Sequence, residues 1–298
     1  MTARDRTARH IADLNGAVLA MARSDAGRWT VATRASTVYE LDTTGQVITS
    51  QTLVPPPYEL TAYCRSVTGL HAIAVDSTDQ LDLHKVIVLG PDLAPLDPTL
   101  VAPVLHTAHR VTGIAWNDSG DRLAIADRHD RWVLDHRSLL RWRDLGTNGS
   151  FEVAAWVDRR TVIWGGAGGF EMVDLHYGVL RAVDGAGVIT CVATDPSRTR
   201  LLSGDAKGEI RITSLATGEA LGLDGFSGRI DHVWWERDAI AAVIDDSVLR
   251  WRLEGIEVVG DPEWDDLDLE PGDWVTAAVP TGDDHVMVGC RSGRLLQI

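Results

Sequence analysis

The fold is decided by residues 192–221, which read VATDPSRTRLLSGDAKGEIRITSLATGEAL. An Asp-Pro-Ser turn at 195–197 comes before the apolar pair Leu201-Leu202, and a second polar turn ends at Gly208. Isoleucines then alternate with polar residues at 210–212, before a Thr-Gly turn. This order predicts three short antiparallel strands. Such a unit cannot bury its own apolar face, so further copies are expected.

The remainder of the chain contains weaker copies of this pattern. Ala193 aligns with one residue in each of six other segments, namely Met21, Cys64, Ala115, Ala155, Trp234 and Val279. The spacing averages about 43 residues, which is typical of four-stranded propeller blades. Short apolar runs that end in Gly or polar turns recur at the same place in each copy and favour strands over helices.

These copies predict one all-β domain over residues 1–298, a seven-bladed β-propeller of four-stranded antiparallel blades. The approximate blade boundaries are 15–53, 58–105, 110–146, 150–184, 187–223, 229–260 and 273–298. The last copy is one strand short, and residues 7–14 could supply that strand and close the ring, which would remove exposed sheet edges.

The repeat resembles the WD40 superfamily of β-propellers. The phrases Gly-x-Ile-Arg-Ile and Leu-Ala-Thr-Gly-Glu-x-Leu within 203–221 are typical of the third and fourth strands of that family, and Trp251 falls at the position of its name-giving Trp. His106, before the strand 111–116, resembles the start of such a blade. Thr213 and Ser214 replace the Trp-Asp pair in the best copy, so the chain is described as WD40-like. The resemblance implies a protein-interaction scaffold.

Composition limits the partners. The 298 residues include 43 acidic and 28 basic side chains, a net charge of -15, which argues against nucleic acid and anionic membranes as partners. The apolar run 17–22 is too short for a secretion signal, so we expect a cytoplasmic protein. The three cysteines form no Cys-x-x-Cys pair, which indicates buried thiols and not a zinc site or disulfide framework.

Three aspartates, Asp76, Asp127 and Asp205, recur in the turn after the second strand of their blades. Their side chains can accept hydrogen bonds from backbone N–H groups two residues on, which is a structural role. The alternative is a ring of carboxylates at the channel mouth that binds a cation. In that case the protein would be a metal- or carboxylate-dependent hydrolase or lyase, and a third interpretation is a small-ligand sensor.

Charged turns at one face of the disc are candidate contacts for a protein partner. Arg128, His129 and Arg131 form the densest one, and Asp245, Asp246 and Arg291 occupy comparable turns in later blades. Propellers commonly use such loops for binding because the blades position them rigidly.

A predicted insertion between the sixth and seventh blades, residues 261–273, is rich in Asp and Glu with interleaved Trp and Leu. Its candidate contacts for a basic partner are Trp264, Asp265, Asp266 and the adjoining Trp274. The alternative is a solvated loop.

The glycine-rich segment 165–169 lacks the Gly-Lys-Ser/Thr ending of a phosphate loop, so we expect a turn there. No catalytic constellation stands out. The sequence therefore favours a non-catalytic scaffold for a protein partner, with no cofactor and no metal.

Overall fold

The computed structural model describes residues 8–24, 26–54, 57–77, 84–94, 104–107, 109–135, 141–144, 150–223, 226–255, 257–282 and 285–298. All of the regular structure within these ranges is β-strand. In this part of the chain no helix is long and apolar enough to cross a membrane.

The strands of the first half follow the predicted copies closely. They are β1 (Arg9–Asp13), β2 (Val18–Arg23), β3 (Trp29–Thr33), β4 (Thr37–Leu41), β5 (Val47–Thr52), β6 (Tyr58–Arg65) and β7 (His71–Ser77). They continue as β8 (His84–Leu89), β9 (Val104–Thr107), β10 (Val111–Trp116), β11 (Arg122–Asp127), β12 (Arg131–Asp135) and β13 (Arg141–Asp144).

The second half contains two unusually long strands. Its strands are β14 (Phe151–Trp156), β15 (Thr161–Asp174), β16 (Gly178–Thr194), β17 (Arg200–Asp205), β18 (Ile210–Ser214), β19 (Ala220–Leu223) and β20 (Ile230–Trp235). They continue as β21 (Ala239–Ile244), β22 (Ser247–Glu254), β23 (Glu257–Asp266), β24 (Val275–Gly282), β25 (His285–Cys290) and β26 (Arg294–Gln297).

These strands form a propeller-like ring of small antiparallel sheets. Five separate sheets have four strands each, in the orders β2-β3-β4-β5, β6-β7-β8-β9, β10-β11-β12-β13, β20-β21-β22-β23 and β1-β26-β25-β24. One sheet has six strands, in the order β14 to β19. The prediction of seven separate four-stranded blades is therefore wrong in its count of sheets.

The count differs because β15 and β16 run on where the sequence predicted interruptions. The expected turn at 165–169 lies within β15. Glycine is needed there because a Cβ on Gly166 would lie 1.7 Å from the carbonyl oxygen of Ser150, and Gly168 has a φ of +90°. The chain reverses direction within β15, since Leu175 N donates to the Arg160 carbonyl oxygen at 3.0 Å, and the register with β16 shifts between Ala167 and Gly169.

Seven strands contact one another in series around the ring, and we call each of them the first strand of a unit. In turn, β2, β6, β10, β14, β16, β20 and β24 each contact the next, and β24 contacts β2. Each has a register shift near the start of its pairing with the next strand of the chain, at Val18/Ala20, Leu60/Ala62, Val111/Gly113, Phe151/Val153, Ile189/Cys191, Ile230/His232 and Val275/Ala277. A bulge at the same place in every unit bends and twists each sheet alike.

Two tryptophans connect neighbouring units. The indole Nε1 of Trp156 donates to the carbonyl oxygen of Ala115 at 2.9 Å, and that of Trp235 donates to Ala193 at 2.9 Å. The guanidinium carbon of Arg200 lies 4.7 Å from the ring centroid of Trp235.

The N-terminal strand β1 is the outer strand of the sheet that contains β24, β25 and β26. It pairs antiparallel with β26, from Arg9 opposite Gln297 to Asp13 opposite Arg294. The backbone N–H of Leu14 extends this pairing by donating to the carbonyl oxygen of Gly293 at 2.9 Å. One sheet is thus assembled from both ends of the chain, as the sequence predicted.

Deleting residues 1–14 should destabilise the protein by about 3 kcal/mol, because it removes the backbone pairing to β26 and leaves that strand as an open edge. The melting temperature should fall by roughly 5–10 °C, measured by circular dichroism or calorimetry. Deleting only residues 1–7 keeps β1 and is the control. An unchanged melting temperature for the longer deletion would contradict this assignment.

Candidate functional site

The turns between the second and third strands of the four-stranded sheets lie at one end of the ring, because consecutive strands are antiparallel. We call this end the turn face. It carries the predicted contacts Arg128 and His129, Asp245 and Asp246, and Arg291, all of which are exposed. The connections from one sheet to the next reach the same end, among them residues 267–274.

Trp274 and Arg291 come together at this face from separate loops. The guanidinium carbon of Arg291 lies 4.1 Å from the ring centroid of Trp274, and its backbone N–H donates to the Trp274 carbonyl oxygen at 3.0 Å. The Trp274 side chain remains 46% exposed. Asp273 fixes the two loops, since its carboxylate accepts from Ser292 N at 2.9 Å and Ser292 Oγ at 2.6 Å.

Acidic side chains lie in the turn of the neighbouring β20–β23 sheet. Asp245 and Asp246 are exposed, and the Asp246 carbonyl oxygen accepts from Leu267 N at 3.0 Å. Leu267 is buried, whereas Asp266 beside it is exposed. The acidic turn is therefore tied to the same loop that leads to Trp274.

The expected acidic insertion at 261–273 is wrong in its first half, because β23 extends to Asp266. Asp265 is 1% exposed and forms an ion pair with Arg250, which is itself 5% exposed. Trp264 packs against the hydrophobic core of this sheet. Both residues thus contribute to the interior. Asp265 is needed there because the buried guanidinium of Arg250 requires a counter-charge. The sequence pattern gave no sign of this, since Arg250 lies in an alternating strand.

Arg131 also differs from its expected place in an exposed turn. It is the first residue of β12 and is 1% exposed. Its guanidinium lies 5.0 Å from the ring centroid of Phe151 and 5.3 Å from that of Trp164, and pairs with Glu171 at 2.5 Å. Arg131 therefore joins β12 to the six-stranded sheet. Removing one partner of such a buried pair is strongly destabilising.

Arg128 and His129 remain available at the turn face. The His129 ring lies against that of His109, with centroids 4.3 Å apart and an interplanar angle of 69°. Both histidines lie in loops next to the β10–β13 sheet, His109 just before β10 and His129 between β11 and β12.

Two of the three turn aspartates have the structural role that the sequence predicted. Asp127 Oδ1 accepts from His129 N at 2.9 Å and Asp130 N at 2.6 Å. Asp205 Oδ1 accepts from the backbone N–H groups of residues 207 and 209, at 2.8 and 2.9 Å. Both carboxylates thereby shape their turns.

Asp76 differs from the other two, because its Oδ1 lies 2.8 Å from His84 Nδ1 and its Oδ2 lies 3.4 Å from Arg110 Nε. Over the described ranges, no group of three or more His, Cys, Asp or Glu is placed to hold a metal ion.

The three cysteines are free thiols. Burial raises the pKa of Cys191 and of Cys290 to about 12, and it raises the pKa of Cys64 as well. Because the thiolate is the reactive form, these side chains are poor nucleophiles at neutral pH.

A groove that the sequence did not predict lies at the opposite end of the β20–β23 sheet. It is formed where β23 bulges, since Arg250 pairs with Glu263 while Arg252 pairs with Val259, so that residues 260–262 face only one residue of β22. The available signal was Gly260-Asp261-Pro262, because Gly and Pro within a strand mark bulges.

Comparison with known proteins supports the fold alone. No family model matches the chain, and no curated protein matches it. Among solved structures, the computationally designed Ika8 protein is similar, with a TM-score of 0.69 and 15% sequence identity over 97% of this chain and 99% of that one. The chain has a β-propeller fold. Similarity at this level of identity carries no information on function.

Replacing Asp205 by Ala should destabilise the protein by about 1–2 kcal/mol, because two backbone N–H groups lose their acceptor. Asp205→Asn keeps an acceptor oxygen and should cost much less. Urea unfolding followed by tryptophan fluorescence measures both variants. Equal stability of the Ala and Asn variants would contradict the turn role.

Protonation of His71 should lower the free energy of unfolding in mild acid. Its Nδ1 lies 2.8 Å from the Tyr63 hydroxyl oxygen, and burial, with a smaller contribution from Arg65, lowers its pKa to about 4. In the unfolded chain the pKa is about 6.5. The neutral ring therefore stabilises the fold fully above about pH 6.5, and this stability, at most about 3 kcal/mol, is lost as the pH falls toward 4.

The measurement is the free energy of unfolding between pH 7.5 and 4.5 for the wild type and for His71→Gln, whose amide can still bond Tyr63 but does not titrate. The wild type should lose more stability than the variant over this range. Parallel pH dependences would contradict the assignment.

Proposed function

We propose that the protein is a non-catalytic scaffold that binds a protein partner through the Trp274–Arg291 pair on the turn face. The observation that carries this proposal is the exposure of a large indole that is already held in place by its neighbours. Trp and Arg are the side chains that most often dominate protein interfaces. An ordered side chain also loses less conformational entropy on binding.

The charge around this pair favours a partner with a basic surface. The exposed carboxylates Asp245, Asp246 and Asp266 lie on the adjoining turn and loop, and the whole chain carries a net charge of -15. Such a surface steers a basic partner to the indole and makes association sensitive to salt. Arg128 and His129 would form a second, separate contact on the same face.

We also propose that the fold is a closed, seven-bladed, WD40-like propeller, in which the six-stranded sheet contains two blades. In support, residues 162–166 of β15 pair with β14, whereas the following half pairs with β16. Likewise the first half of β16 pairs with β15 and its last residues, 189–194, pair with β17. The bulge that recurs in seven first strands, and the pairing of β1 with β26, agree with this division.

A cytoplasmic location belongs to this proposal and is supported by the three free thiols, which suit a reducing compartment. The alternative of a channel-mouth enzyme receives no support from the turn aspartates, because Asp127 and Asp205 direct Oδ1 to the backbone N–H groups of their own turns.

The test is affinity capture from an extract of the source organism with wild type, Trp274→Ala and Arg291→Ala. The control is Tyr177→Ala, which removes an 80% exposed ring that also contacts an arginine, at the opposite end of the sheets. A stoichiometric partner should be retained by wild type and control, and weakened at least about tenfold by either turn-face variant. Equal retention by all four proteins, or no partner for the wild type, would contradict the proposal.

A further inference from the structure

The groove beside the bulge in β23 has a volume of about 800 Å³, against about 90 and 130 Å³ for two other pockets. Ligand sites in proteins typically have volumes of about 300–1,000 Å³. The groove lies at the end of the β20–β23 sheet where β20 joins β21 and β22 joins β23, away from the turn face. A ligand here would therefore be independent of the proposed docking pair.

One side chain that lines the groove is an arginine with an unused donor. Arg250 is 5% exposed, its Nε donates to Glu236 Oε1 at 3.1 Å, and its Nη1 pairs with Asp265. The remaining nitrogen, Nη2, is buried and has no hydrogen-bond partner. A buried donor left without an acceptor costs about 1–3 kcal/mol, so an acceptor that enters the groove would recover that energy.

The other residues that line the groove determine which charge its ligand should have. Five carboxylates and three guanidiniums line the groove, which makes it acidic overall. Glu254 and Asp261 are exposed at its rim, and Leu253 and Val259 provide apolar surface between them. Because Arg250 already faces two carboxylates, a neutral carbonyl oxygen suits Nη2 better than a third anion would.

We propose that this groove binds an arginine or lysine residue of a peptide. The carbonyl oxygen of that residue accepts from Arg250 Nη2, its aliphatic stem lies on Leu253 and Val259, and its cationic head contacts the carboxylates of Glu254 and Asp261. The site takes basic peptides and rejects acidic ones, since the lining is acidic overall.

The experiment titrates the ¹⁵N-labelled protein with N-acetyl-L-arginine methylamide, which has the carbonyl and the guanidinium but no carboxylate. N-acetyl-L-glutamate methylamide is the matched acidic probe. Saturable shifts of the amide signals of residues 257–263 are expected with the arginine probe and not with the glutamate probe. Absence of saturable shifts there, or equal shifts with both probes, would overturn the proposal.

Variants distinguish binding in the groove from nonspecific attraction of a cation to an acidic protein. Glu254→Lys with Asp261→Lys should weaken binding of the arginine probe at least about tenfold. Glu257→Lys with Glu219→Lys changes the net charge equally at exposed positions outside the groove, and should leave binding within about twofold. Arg250→Lys keeps the charge beside Asp265 but loses the Nη2 donor, and should also weaken binding. Equal weakening by both double variants would contradict a defined site.

Discussion

The contacts between the first strands of neighbouring units are the interaction on which the rest of the structure depends. Each sheet is too small to bury its apolar faces alone, and the first strand of each unit packs between the first strands of the units on either side. Trp156 and Trp235 add hydrogen bonds across these contacts, and Thr112 adds another by donating its hydroxyl to the Phe151 carbonyl oxygen at 2.9 Å. Stability is thus shared around the ring, and every unit relies on its neighbours.

This mutual packing explains why some charged side chains lie inside and others outside. Arg131 and Arg250 are held in the interior by Glu171 and Asp265, so they fix strands relative to one another. The turns, in contrast, are positioned by rigid strands, and most of their side chains are not needed to pack the interior. Trp274 and Arg291 can therefore stay exposed while they contact each other, as the proposed docking surface requires.

Three features could be predicted from the sequence repeat: the all-β propeller, the positions of the first strands and the pairing of the N-terminal strand. The turn role of Asp127 and Asp205 was also predictable, because it depends only on local backbone geometry. The continuity of β15 through its glycines was not, since it results from close approach to Ser150 across the sheet. Nor was the burial of Asp265, because its partner Arg250 is 15 residues away in the chain and is recognisable only once the strand register is known.

Amide hydrogen exchange on the intact chain tests most directly whether the ring is one cooperative body closed by β1. If it is, the amides of β1 that pair with β26 exchange as slowly as those of β24 and β25, because all three strands open only when the ring unfolds. Rapid exchange of β1, at the rate of an unprotected terminus while β24 and β25 stay protected, would contradict the account, since the ends of the chain would then not close the ring.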